Sequence, residues 1–178
     1  MRISLAVLFL LCIPAALAGA DPQPGAPPPT PTPTGAAAEV RAAVDGFLRA
    51  FEALDWPAFR ACFAEGATVF HPTPPHVLRT DSPESFERAW AAVFERIRRD
   101  SGRTAPPYFT LAPKDVRIQL LSERSALVTF HLPQGDTVGR RTVVLEKLEA
   151  GWKIVHLHAS NLSTPGSPAP TAPATPRK

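Results

Sequence analysis

Cysteine is nearly absent from this chain: its 178 residues contain two, Cys12 and Cys62. Cys12 lies in the apolar run "ISLAVLFLLCI" close to the N-terminus, and removal of that segment leaves Cys62 without an intramolecular partner, so no disulfide can staple the fold. Also missing are a glycine-rich phosphate loop, a paired-cysteine motif and a serine nucleophile elbow, which removes nucleotide-dependent and serine-hydrolase chemistry from consideration. The longest apolar run is too short to cross a bilayer comfortably. A net charge of +3, spread over the whole length, gives no basic face for nucleic acid or membrane surfaces. No nucleic-acid partner, no cofactor and no metal are expected.

What the chain does have is proline, 22 residues of it, gathered mainly at the two ends. Arg2, the apolar run and the small residues Ala16 and Ala18 read as a secretory signal over residues 1–18, so the mature chain begins at Gly19. Cys12 follows Leu11, where a lipoprotein signal needs a small residue, and is read as part of the run. The stretches "GADPQPGAPPPTPTPTGAAA" and "STPGSPAPTAPATPRK" have little to bury and form a linker over 19–36 and a tail over 163–178. The expected product is an exported protein, periplasmic or secreted, with one domain over 37–162 and no membrane insertion after signal cleavage.

Within that domain, Val40, Val44, Phe47, Leu48, Phe51 and Leu54 share one arc of a 3.6-residue period and predict an amphipathic helix over 39–54. Asp55 then caps a short helix with Pro57 in its first turn, Phe59, Cys62 and Phe63 on one face, and Gly66 as its stop. Cys62 in this setting reads as a small buried hydrophobe. "ATVFH" is a short strand followed by a proline-rich loop. Asp81 or Ser82 caps a third helix, with Phe86, Ala89, Trp90, Val93, Phe94 and Ile97 as its apolar stripe. From "DVRIQLL" onward the period is two, and four strand-like runs joined by short turns imply an antiparallel meander. The fold class is therefore α+β, with helices on one face of a curved sheet. The last strand is apolar on both alternates, so its outer face is expected to pack on another copy of the chain as a homodimer or larger homo-oligomer.

The order of these elements, the opening "FLRAFEALDWPAFRACFAEGATVF" and the closing "TVVLEKLEAGWKIVHLHAS" resemble the nuclear transport factor 2-like superfamily, particularly its SnoaL-like members. Trp152, His156, His158 and Ser160 also resemble the closing strand of the calcium/calmodulin-dependent kinase II association domain. The resemblance implies a conical cavity between helices and sheet, and it covers isomerases, dehydratases, cyclases, hydrolases, ligand-binding modules and assembly hubs alike. Candidate lining residues are Trp56, Phe59, Phe70, His71, Trp90, Tyr108, His131, His156 and His158, together with Arg140 or Arg141.

Isomerase-like relatives place a carboxylate base in the cavity, but Asp45 and Glu52 lie off the helical core face and Glu146 can alternate either way. His71 and His156 are the candidate bases instead. His156 and His158 lie two apart, on the face of Trp152 and Ile154; His131 on a neighbouring strand could join them as a zinc ligand, whereas the plainer role is hydrogen bonding across a sheet or lining a pocket. Arg140 and Arg141 point to opposite faces, so one is directed inward, where its planar fork suits a carboxylate. "NLS" at Asn161 matches a glycosylation pattern. Three functions remain open: binding a small organic molecule, an anion among the candidates; cofactor-independent lyase, isomerase or hydrolase chemistry; and assembly without a working pocket.

Overall fold

The computed structural model describes residues 35–73 and 78–163. The signal, nearly all of the linker and of the tail, and the middle of the proline-rich loop lie outside the described residues.

The first helix, α1 (Ala36–Ala53), buries Val40, Val44, Phe47 and Leu48, the arc that the 3.6-residue period singles out. Leu54 ends it in the left-handed conformation, and Asp55 caps α2 (Trp56–Ala61) by accepting from the Ala58 N–H at 3.1 Å. Gly66 does not stop this helix. The helix ends at Ala61, and Gly66 lies within β1 (Phe63–Phe70), in the irregular stretch between the residues that pair with Ile154 and His156. After the loop, Ser82 caps α3 (Pro83–Ser101) in a reciprocal capping box with Ser85, and Gly102 at φ 63° closes it. Four strands follow: β2 (Lys114–Leu120), β3 (Ser125–Gln134), β4 (Thr137–Leu148) and β5 (Gly151–Ser163).

The sheet runs β1-β5-β4-β3-β2, with β2 to β5 as an antiparallel meander and β1 added parallel to β5. Its inner face carries Val69, Ala126, Val128, Phe130, Val143 and Leu145, all buried in one core with the apolar stripes of the helices. Glu39 at the start of α1 joins helix to sheet by accepting from Lys147 Nζ at 2.6 Å and from the Trp152 indole Nε1 at 3.0 Å. No helix among the described residues is long and apolar enough to cross a membrane.

One irregularity in β5 decides which residues face inward. Leu145 pairs with Ile154 and its neighbour Val144 with His156, so Val155 is an extra residue opposite β4. Before this bulge Trp152 and Ile154 are buried; after it Leu157 and Ala159 are. The bulge therefore separates His156 and His158 from the face of Trp152 and Ile154, contrary to the expectation from an unbroken period of two.

Candidate functional site

A cavity of about 810 Å³ opens between the inner sheet face, the last turns of α3 and the 102–113 loop. That size suits a small organic molecule. Its apolar wall is supplied by Phe47, Phe51, Trp90, Val93, Phe109 and Phe130, and its polar groups include His71, Tyr108, Arg141 and Asn161. The loop is held to α1 by Glu52, whose backbone carbonyl accepts from the Tyr108 N–H at 2.8 Å and whose carboxylate accepts from the Leu111 N–H. Val69 and Thr80, on either side of the proline-rich loop, exchange backbone hydrogen bonds of 3.0 and 2.9 Å.

Sheet register places the polar groups. Arg141 pairs with Ala159 on β5 and with Phe130 on β3, so all three share one row of the inner face. Phe70 pairs with His158, and His71, one residue on, comes level with Ala159. Neighbouring strands are about 4.8 Å apart, which puts the His71 and Arg141 backbones roughly 10 Å apart with only the Ala159 methyl between them. The Trp90 ring lies 4.8 Å from that of His71.

Arg141 is held by neutral oxygens. Its Nη1 donates to the carbonyls of Arg140 at 2.9 Å and Ser160 at 3.1 Å, and both Nη1 and Nη2 lie 3.3 Å from Asn161 Oδ1. Among the described residues no carboxylate pairs with it, and burial pushes its pKa down from the ordinary arginine range. The guanidinium folds back over Gly139, where a Cβ would come within 3.0–3.2 Å of it. Its Nε–H has no acceptor among the described residues, and Nη2 retains a proton beyond the one directed at Asn161. That side-on edge is the geometry that receives the two oxygens of a carboxylate.

Of the residues expected in the cavity, His71, Trp90, Tyr108 and Arg141 line it. Trp56 and Phe59 do not: Phe59 is fully buried behind the wall and Trp56 stacks on it at 6.2 Å. Phe70, His131, Arg140, His156 and His158 face the outer side of the sheet, because the bulge moves the β5 histidines there and Arg140 and His131 pair with each other on that phase. His156 therefore does not line the cavity and is not placed to act as a base within it. His131 is separated from the β5 histidines by the whole of β4, and among the described residues no three of His, Cys, Asp and Glu converge on a metal position. Cys62 is half-buried at the end of α2, its Sγ 3.3 Å from the Ala58 carbonyl, and burial pushes its thiol pKa up. Asp45 pairs with Arg41 on an exposed face, and Glu146 is exposed. Among the inward residues that sequence reasoning missed is Asn161; continuing the alternation Leu157, Ala159 by two more residues finds it.

On the outer face, His156 Nδ1 sits 2.7 Å from the Thr68 hydroxyl. Desolvation, then the neighbouring His158 and Arg79, hold its pKa below the ordinary value of about 6.5. Between the lowered and the ordinary value the unfolded chain binds more protons, so stability rises with pH across that window and is lost as pH falls through it. Thermal unfolding followed from about pH 5 to 7 should show this rise, and His156→Asn should flatten it. An unchanged slope in the variant would assign the dependence to another group.

The family model described as SnoaL-like domain matches residues 40–164. Among solved structures, the chain is similar to a nuclear transport factor 2-like protein of unknown function from Pseudomonas putida, at 17% identity over 69% of this chain and 84% of that one, with a TM-score of 0.55. A cystatin-like fold protein from Burkholderia xenovorans gives 22% identity over 72% and 92%, also at 0.55. The calcium/calmodulin-dependent kinase II hub homology domain of Chlamydomonas reinhardtii gives 19% over 72% and 100%, again at 0.55. At these identities the likeness is one of fold. A search of curated proteins returns no match.

Proposed function

Because the chain belongs to the SnoaL-like domain family, in which fold alone does not name a reaction, we propose from the site itself that it binds a small organic carboxylate in the cavity, with Arg141 as the anchor. The observation that carries this reading is a guanidinium fixed by carbonyl oxygens, with no counter-ion among the described residues, at the wall of an 810 Å³ cavity. A desolvated cation in that state gains more from an arriving anion than one already paired on the surface. Gly139 keeps its space open. The test is calorimetric titration with short-chain carboxylates and their uncharged amides. The carboxylates should bind and the amides should not, and Gly139→Val should weaken the carboxylate by about tenfold or more by displacing the guanidinium. Equal binding of acids and amides would reject Arg141 as the anchor.

A second reading, cofactor-independent lyase, isomerase or hydrolase turnover, is favoured by the position of His71. Its imidazole stands beside Trp90 at the far end of the row from Arg141, where a base could take a proton from a substrate whose carboxylate is already fixed. We also place the domain as an exported homodimer or larger homo-oligomer. The signal-like N-terminus supports export, and the half-exposed outer sheet face, with Phe70, Val144 and Val155 on it, supports association. The likeness to a kinase hub homology domain supports a third reading, an assembly module, for which the same face would serve.

A further inference from the structure

The cavity has a closed apolar end and an open polar end, and the rows of the sheet tell them apart. Inward residues of β4 run Thr137, Gly139, Arg141, Val143, each level with residues of β3 and β5. Val143 and its partners Val128 and Leu157 are buried, at 0%, 0% and 3% exposed. In the Gly139 row Leu132 is half-buried and Asn161 exposed, and in the Thr137 row both Gln134 and Ser163 are exposed. The floor is therefore at the Val143 end, where Leu157 lines the cavity, and the mouth is at the Thr137 end. Phe47 and Trp90, both buried lining residues, belong to the floor: their rings lie 5.6 and 6.3 Å from that of Phe63, which pairs with Ile154, deeper still.

The Arg141 backbone lies between these ends, but its charge does not stay level with it. Its Cζ, Nη1 and Nη2 are the atoms nearest a Cβ at Gly139, and both Nη atoms lie 3.3 Å from Asn161 Oδ1 in that same row. The side chain thus turns outward, toward the mouth. The other charged lining residues, Glu95, Arg96, Arg99 and Asp100, are all exposed. Glu95 pairs with Arg98 and Asp100 with Arg99, so the acidic groups of the rim are already engaged. His71, beside Trp90, is a titratable group that borders the inner end.

From this we infer that the ligand is a carboxylic acid with an uncharged alkyl or arylalkyl body, bound head outward: its carboxylate on Arg141 toward the mouth, its body running inward toward Phe47, Trp90 and Leu157. The inference rests on Arg141 holding the carboxylate. From the Gly139 row to the Val143 row the strand rises about 13 Å, which is the depth open to that body. Burial of its apolar surface supplies the affinity beyond the head. Hydroxyl groups along the body would be desolvated against phenylalanine and leucine, which disfavours sugar acids. A second carboxylate at the inner end would be desolvated there too, with His71 as the group beside it.

Butanoate, hexanoate, octanoate and octanedioate are titrated calorimetrically. Affinity should rise about three- to fourfold per methylene group from butanoate to octanoate. Octanedioate should bind about tenfold more weakly than octanoate. Affinity that stays flat along the series, or octanedioate binding as tightly as octanoate, overturns the inference and leaves the carboxylate reading intact. Orientation is read by fluorescence, because of the three tryptophans only Trp90 lines the cavity. Octanoate brominated at its ω carbon should quench tryptophan emission more strongly than octanoate brominated at its α carbon. Equal or stronger quenching by the α-bromo acid overturns the head-outward arrangement. Failure of every acid to bind overturns both readings. All of these measurements use the unaltered protein, so none depends on a variant that folds.

Discussion

Replacing Arg141 with glutamine should lower affinity for small carboxylates by about 100-fold, with the unfolding free energy changed by no more than about 1 kcal/mol. The two effects separate because they come from different states of the same group. In the free protein the half-buried guanidinium is bonded, among the described residues, to the neutral oxygens of Arg140, Ser160 and Asn161, so its loss removes a partly desolvated charge along with its hydrogen bonds. A bound carboxylate would add two charge-assisted hydrogen bonds at the Nε and Nη2 edge, each worth about 1.5–3 kcal/mol, and glutamine can provide neither the charge nor the fork. Arg141→Lys should recover little, since an ammonium is a point charge that does not reproduce the planar edge. Calorimetric titration gives the affinity and urea unfolding gives the stability. Affinity within twofold of wild type in the glutamine variant would remove Arg141 from the site.

The largest expected loss of stability follows from Phe59→Ala, at about 3–5 kcal/mol, a large share of what holds a domain of this size together. Phe59 is fully buried. Its ring centroid lies 5.5 Å from those of Phe47 and Phe51 on α1, 5.2 Å from Phe63 at the start of β1, and 4.7 and 5.1 Å from Trp90 and Phe94 on α3. One ring thus touches every helix-bearing part of the core, and truncation leaves a void that three elements would have to move to fill. Urea unfolding should show the lowered midpoint, and hydrogen exchange should show loss of protection in α1 and α3 together. A loss under 1 kcal/mol would mean that the helices collapse onto the gap. Because Trp90 forms part of the cavity wall, the same variant should also bind carboxylates more weakly, although Phe59 itself does not line the cavity.

Much of this architecture is legible without coordinates where the signal is local. The apolar arc of Val40, Val44, Phe47 and Leu48, the caps Asp55 and Ser82, and the period-two runs joined by short turns each report on a few consecutive residues, and each corresponds to an element of the fold. The errors arise where a position depends on a partner far away in the chain. Gly66 resembles a helix stop, but its place in β1 is set by the irregular pairing with β5, some ninety residues later. Phe109 and Leu111 have no period to betray them; they reach the cavity because Glu52 tethers their loop to α1. The β5 histidines lie on the unexpected face for a similar reason, since the extra residue Val155 exists only in relation to Val144 and Leu145. Arg140 and Arg141 stand between these cases: alternation says that one of them points inward, and only the register chooses which.

The bulge at Val155 gives β5 two parities. Even-numbered residues face the core before it and odd-numbered residues after it, so the end of the strand that builds the cavity is written in a different reading frame from the end that anchors α1 through Trp152. Residues 157, 159 and 161 then face the cavity side, those at 156, 158 and 160 the outer side. One strand thereby carries two alternations, and the cavity side and the outer side of its second half are set independently of the half that meets α1.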